Sequence, residues 1–272
     1  MTIAGLISVL LAAGGNAAAT PLGETVWVDG PEGRVRLIAS GESRGSKTRQ
    51  RWFGLTFDLK KGWKIFWRSP GAPGLPPTID WSGSVNLRAG DIIWPAPVVF
   101  DSFGYRARGY GGRVTLPIRV TPIDPADPVM AQLRVRYQVC KDICIPGEVQ
   151  LALTGVGSAP MHPAITRALK QTPKLAGSDF MTWQAVVAGR RLIVRIRHRS
   201  QPLVQPTILV EAPEAIRLGR TGLPWFAPDG TVSVSVPVLG TKPIPVEFRV
   251  RITAISNTGV WERAVTVSGR GD

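Results

Sequence analysis

Cysteine and histidine are nearly missing from this chain, with two of each in 272 residues. So few cysteines exclude a small disulfide-scaffolded fold, and ordinary apolar cores must supply the stability. His162 and His198 stand far apart without ligand-like spacing, and no second cysteine pair is present to close a zinc site. No metal and no cofactor is expected. Long apolar runs are also lacking. Beyond the first 19 residues nothing approaches the about 18 consecutive apolar residues that mark a span, so no stable membrane span is expected. Acidic residues are scarce as well, 19 against 33 basic ones, for a net charge of +14. Arginine makes up 25 of the 33. The arginines are spread singly through alternating stretches, as in Arg34/Arg36, Arg134/Arg136, Arg195/Arg197 and Arg249/Arg251. That pattern is a solvated sheet face. With no helix-turn-helix or aromatic ribonucleoprotein motif beside it, nucleic acid is not the expected partner. An acidic partner or an anionic membrane surface suits the charge better.

What is present at the start is a run of small apolar residues. Met1 to Ala19 ends in an A-x-A-like site and is too short for a bilayer span, so it is expected to be a secretory signal. It has no Lys or Arg in its first 20 residues, which suits an atypical signal or a start further upstream. Past it, many short alternating segments are separated by Gly and Pro. Val35–Leu37, Trp52–Leu59, Gly62–Arg68 and Val114–Val120 precede a proline-rich or turn-rich break in each case. Little helical periodicity appears before residue 160, and this spacing argues an all-β sandwich. Between Ala159 and Pro173 the pattern changes, and Ile165, Ala168 and Leu169 suggest a short helix. His162 is expected on the linker surface. From Phe180 strands resume, with alternation over Leu192–Arg197, Val232–Val236, Val246–Ile252 and Val260–Val267. The fold class is therefore all-β, with two tandem immunoglobulin-like β-sandwiches. The expected bounds are 1–19 signal, 20–158 first sandwich, 159–179 linker and 180–272 second sandwich. His198 is expected at the surface. The terminal Arg270-Gly271-Asp272 is read as chance.

The cysteines sit at one corner, Tyr137-Gln-Val-Cys140-Lys-Asp-Ile-Cys144-Ile-Pro146. Leu133, Val135, Tyr137 and Val139 alternate with Arg134, Arg136 and Gln138, which is a half-buried strand. Val149, Leu151 and Leu153 read as its returning partner. Continuing the alternation puts Cys140 on the arginine face, away from the core. A disulfide needs Cα atoms about 4.4–6.8 Å apart, so Lys141-Asp142-Ile143 must turn tightly. Closing so short a ring contributes about 2 kcal/mol in the loop-closure model, little for a chain this size. A short exposed ring suits opening and closing, while a small structural clip and a zinc or copper site remain open alternatives. Lys141 would lower a neighbouring thiol pKa and Asp142 would oppose it.

The same corner, together with Asp101-Ser-Phe103-Gly-Tyr105-Arg-Ala-Arg-Gly-Tyr110-Gly-Gly-Arg113 upstream, resembles the N-terminal periplasmic domain of the DsbD/ScsB thiol–disulfide reductases. The spacer of three residues resembles the ScsB-type branch. The resemblance covers roughly 25–155 and is only architectural beyond. It implies a periplasmic domain that relays electrons from a membrane electron-conduit protein to thioredoxin-fold partners. It further implies that Cys144 forms the intermolecular bond and Cys140 resolves it. A cap loop with Asp101, Phe103 and Tyr105 would shield the pair until a partner docks. Ser102 stands where the family has a second acid, a departure that speaks against a two-carboxylate proton role. The family's membrane conduit and thioredoxin domain are absent from this sequence, so a separate membrane protein or a split system is expected. Two other classes stay open: a non-enzymatic binding or assembly module with a structural disulfide, and a metal-handling protein, since ScsB-type systems are associated with copper tolerance.

Overall fold

Period-two alternation becomes strand almost throughout the computed structural model, which describes residues 23–40, 51–71, 74–154, 160–177 and 179–268. The expected signal at 1–19 and the Arg270–Asp272 tail lie outside the described residues. In chain order the first half forms β1 (Val28–Gly30), β2 (Gly33–Ser40), β3 (Arg51–Leu59), β4 (Lys64–Phe66), β5 (Thr78–Asp80), β6 (Leu87–Ile92), β7 (Val98–Ser102), β8 (Tyr105–Gly111), β9 (Arg113–Pro122), β10 (Met130–Cys140) and β11 (Cys144–Thr154). One sheet runs β1-β2-β3-β9-β6, and the other runs β11-β10-β4-β8-β7 with β5 paired to β10. Their inner faces meet in one core. Leu37, Phe53, Leu55, Phe57, Leu116 and Ile118 come from the first sheet. Ile65, Leu133, Val135, Val139 and Leu151 come from the second. Burying a side chain of this size contributes about 1.5–3 kcal/mol. Trp67 is fully enclosed, and Trp63 packs at the margin.

β3 is buried on both faces, which an amphipathic strand facing water would not be. The cover on its outer side is α1 (Pro163–Lys170). Pro163 opens it, the Nδ1 of His162 accepts from the Ala164 N–H at 3.1 Å, and Arg167 and Lys170 occupy the last turn. Ile165 is fully buried above Gly54, where a Cβ would meet its side chain at 2.8 Å. The helix therefore belongs physically to the first sandwich. His162 is correspondingly no linker-surface residue: it caps the helix, and its Nε2 lies 2.8 Å from the Glu24 carboxylate, which also pairs with Arg36.

The second half forms β12 (Lys174–Leu175), β13 (Met181–Ala188), β14 (Arg191–His198), β15 (Thr207–Glu211), β16 (Trp225–Phe226), β17 (Val232–Pro237), β18 (Glu247–Ser256) and β19 (Gly259–Ser268). The sheets are β12-β19-β18-β15 and β13-β14-β17-β16. Leu192, Val194, Ile196, Val232, Val234 and Val236 pack against Phe248, Val250 and Ile252. The valine–serine alternation of β17 does not separate core from water, since Ser233 and Ser235 are buried too. The Ser235 hydroxyl accepts from Arg191 Nε at 2.6 Å. His198 is half-buried, its ring edge-on to Trp261 with centroids 5.5 Å apart.

The sandwiches touch. Leu209 of β15 joins the first core. Arg68, just after β4, donates to both oxygens of Glu211 and pairs with Glu262. Among the described residues no helix is long and apolar enough to cross a membrane.

Candidate functional site

The β10–β11 hairpin runs in unbroken register from Met130↔Thr154 to Cys140↔Cys144. Its last pair is the cysteine pair. The two residues stand directly opposite, with Cα atoms 4.2 Å apart, and their sulfurs are bonded. Directly opposed residues of an antiparallel ladder come this close only in the pairs that do not exchange hydrogen bonds. Lys141-Asp142-Ile143 makes the reversal, closed by the Lys141 N–H donating to the Ile143 carbonyl at 3.0 Å. Pro146 sits in β11, an edge strand, where its missing N–H leaves no central ladder bond unmade.

Alternation correctly separates Cys140 from the main core. The expectation of an exposed ring holds at Lys141-Asp142-Ile143 and fails at Cys140, which is 1% exposed. Neighbouring strands cover the arginine face at this end. Cys140 clusters with Phe66 of β4 and Ala107 of β8, with Phe100 of β7 and Cys144 packed against them. Phe66 is itself held down by the proline-rich loop, where a Cβ on Gly74 would meet its ring at 2.5 Å. The Leu75 N–H donates to the Gln138 side chain at 3.3 Å, tying that loop across the same face. The result is asymmetric, with Cys140 enclosed and Cys144 partly open to solvent. At the turn, the Lys141 ammonium is 3.6 Å from Asp142, so each charge offsets the other beside the sulfurs.

The segment expected as a cap loop is a regular hairpin. β7 and β8 pair from Val98↔Gly109 to Ser102↔Tyr105. Gly109 and Gly111 lie within paired strand, opposite Phe66 and Lys64 of β4. Phe103 and Gly104 form the two-residue tip with φ of 50° and 80°. Left-handed backbone at both central positions marks a type I′ turn, which suits glycine and strains phenylalanine. Phe103 and Tyr105 are exposed, and Asp101 faces Arg106 at 3.9 Å. These three tip residues are not in the cluster around the sulfurs. The rings that are in it are Phe66 and Phe100, neither of which the cap resemblance includes. A period-two reading of Val98–Ser102 against Tyr105–Gly111 would have placed Phe100 and Ala107 together.

Behind the hairpin, the Arg108 guanidinium is largely enclosed and, among the described residues, makes long hydrogen bonds of 3.3–3.5 Å to Ser69 and the Val210 carbonyl. Burial pulls its pKa below the ordinary arginine value, against the attraction of Glu211. Tyr110 donates to the Pro95 carbonyl at 2.7 Å, and burial pushes its phenol far above the usual range.

Comparison with known proteins bears on this site. No curated protein sequence matches the chain. The crystal structure of the N-terminal periplasmic domain of ScsB from Proteus mirabilis is similar in fold, with a TM-score of 0.72 at 23% identity. The match covers 91% of this chain and 99% of that one. Residues 35–155 match the family described as thiol:disulfide interchange protein DsbD, N-terminal. That stretch, which carries the cystine, its covering strands and the hairpin, is similar to the DsbD N-terminal family, and the chain shares the fold of the ScsB domain.

Proposed function

We propose that this chain is a periplasmic thiol–disulfide exchange protein working through Cys140 and Cys144. The observation that carries the reading is the asymmetry of the cystine, with one sulfur's residue enclosed and the other's reachable. In the reduced form the Cys144 thiolate attacks a partner disulfide, forming a mixed disulfide and releasing one partner thiolate. The Cys140 thiolate then attacks the Cys144 sulfur. The second partner thiolate leaves, the partner is reduced by two electrons and the Cys140–Cys144 bond is restored. A membrane electron-conduit protein supplies two electrons to reset the pair, and thioredoxin-fold proteins receive them. Export would follow a signal at 1–19. The domain bounds of this reading are 20–158 for the redox sandwich, 159–179 for a connecting segment whose helix packs on that sandwich, and 180–272 for the second sandwich. The β7–β8 hairpin acts as the cap: Phe100 covers the sulfurs, while Asp101, Phe103 and Tyr105 meet the docking partner.

The equilibrium reduction potential of the pair tests this. An exchanging pair lies above about −300 mV, whereas a structural bond lies below it. A value under that bound would return the cystine to a structural clip.

A further inference from the structure

The β7–β8 hairpin has two faces. Phe100 and Ala107, opposite each other, turn to the cystine. Val99 and Arg108, the adjacent opposed pair, turn the other way, and with Arg106 they wall a cleft of about 1260 Å³ between the sandwiches. The far wall is β15 with the segment from Ile216 to Pro224.

Three features of this cleft point to one kind of occupant. First, β15 ends its sheet, paired to β18 on one side only. An edge strand carries a row of unpaired backbone groups that can accept a further strand. Second, the cleft holds four arginines: Arg106, Arg108, Arg217 and Arg220. Its one acid, Glu211, is already engaged by Arg68. Among the described residues, Arg108, Arg217 and Arg220 have no carboxylate within ion-pair distance. For Arg108, largely enclosed, the only attraction is that of Glu211, which Arg68 already holds, and such a guanidinium is costly unless a further anion completes it. Third, apolar side chains line the same space in the open, with Leu223 90% and Leu239 46% exposed. A net charge of +14 opposes self-association and favours an acidic partner.

We infer that the cleft binds an extended, acidic segment of a partner protein, added as a strand along β15 with its carboxylates on Arg106, Arg108, Arg217 and Arg220. If the pair exchanges disulfides as proposed above, and only then, this segment is the anchor that holds a redox partner beside the hairpin.

The probe is a fluorescein-labelled peptide of alternating valine and aspartate, with a valine–lysine peptide as control. Binding is followed by anisotropy, and backbone protection by hydrogen exchange. The measurements use the full chain carrying Cys140→Ser and Cys144→Ser, so that they do not depend on redox chemistry. The acidic peptide should bind, the basic one should not, and amide exchange should slow across Thr207–Glu211. Replacing the exposed Arg106, Arg217 and Arg220 together by Ser should weaken binding at least tenfold. Replacing Arg88, Arg195 and Arg249, outside the cleft, should change it less than twofold. Equal weakening by both triples would mean that net charge alone attracts the peptide. That result, absence of binding, or binding without protection of β15 would each overturn the inference. Loss of disulfide exchange in the native chain, with peptide binding retained, would instead remove only the redox reading.

Discussion

Phe66 and Phe100 stand with ring centroids 6.2 Å apart, and both pack in the cluster that encloses Cys140. They are held differently. Phe66 is 1% exposed, in a strand flanked on both sides and under the Gly74 loop. Phe100 is half-buried on β7, the last strand of its sheet. Phe100→Ala should therefore speed reduction of the disulfide by a small phosphine several-fold, with a small change in melting temperature. Phe66→Ala should cost about 3–5 kcal/mol, the usual penalty for emptying a packed aromatic site. Equal reduction rates in wild type and Phe100→Ala would show that the hairpin does not gate the sulfurs.

Phe103 offers the opposite expectation. Its ring is 53% exposed and its backbone is left-handed, with φ of 50°. That conformation costs a non-glycine residue about 1–2 kcal/mol, and asparagine tolerates it far better. Phe103→Asn should keep or raise the melting temperature, by about 2–4 °C per kcal/mol relieved. The rate of reduction by the phosphine should stay at the wild-type value. Slower exchange with a thioredoxin-fold partner in the same variant would locate the ring's role in docking. A faster small-molecule reaction would restore it as the shield.

The unequal burial of the two cysteines gives a trapping experiment. Cys140→Ser leaves the reachable thiol without its resolving partner, and mixed disulfides with periplasmic thioredoxin-fold proteins should accumulate. Cys144→Ser leaves the enclosed thiol and should trap far less. Comparable trapping by both variants would remove the assignment of roles while leaving exchange itself intact.

The strands were legible because period-two alternation is local. Leu133 to Val139 marked β10 and even gave the correct face for Cys140. What covers that face was not legible, because the cover comes from β4, β7, β8 and the loop at Gly74, all distant in sequence. An arginine-bearing face was read as wet along its whole length, and its last residue is the exception. The same limit explains Ser233 and Ser235, polar by type yet buried. It also explains His162, whose partner Glu24 lies at the other end of the first sandwich's sequence. The Phe103-Gly104 turn was obscured by chemistry: phenylalanine at a left-handed position breaks the Asn-Gly signature that announces such hairpins.

Asp58 predicts how the first sandwich responds to acid. Its carboxylate accepts from Arg113 at 2.8 Å and from Arg34 at 2.9 Å. The Arg113 hydrogen bond, helped by Arg34, holds its pKa below the ordinary carboxylate value against the cost of desolvation. A folded pKa depressed below the unfolded one, about 3.9, contributes stability that is present above that value. The contribution is lost as pH falls through the folded pKa. The melting-temperature gap between wild type and Asp58→Asn should thus be largest near neutrality, close below about pH 4 and shrink in high salt. A gap that persists unchanged at low pH would mean that Asp58 acts by packing or by neutral hydrogen bonding.

Arg68 ties the two sandwiches together, and its removal should be felt in both. Its guanidinium donates to Glu211 at 2.8 and 3.0 Å and pairs with Glu262, which also accepts from the Thr253 hydroxyl at 3.1 Å. It stacks on Trp67, 4.4 Å from the ring centroid. Burial alone would lower its pKa, but Glu211 and Glu262 more than offset that and leave it above the ordinary arginine value. All three charged side chains are no more than 17% exposed. Arg68→Ala therefore leaves Glu211 partly buried without its cation, while Glu262 keeps Arg251 at 3.7 Å, so the loss should fall at or below the about 3–5 kcal/mol of a broken buried pair. Because those carboxylates sit on β15 and β19, the loss should fall on the second sandwich and on its seating. Chemical denaturation should separate into two transitions where wild type shows more closely coupled unfolding. Protease cleavage between the sandwiches, around residues 155–180, should accelerate. Arg68→Lys keeps a charge but not the planar fork, and should recover only part of the stability. Full recovery by lysine would mean that point charge is enough and that the bidentate geometry contributes nothing measurable. An unchanged denaturation curve for Arg68→Ala would mean that the sandwiches are joined by apolar contacts such as Leu209 instead.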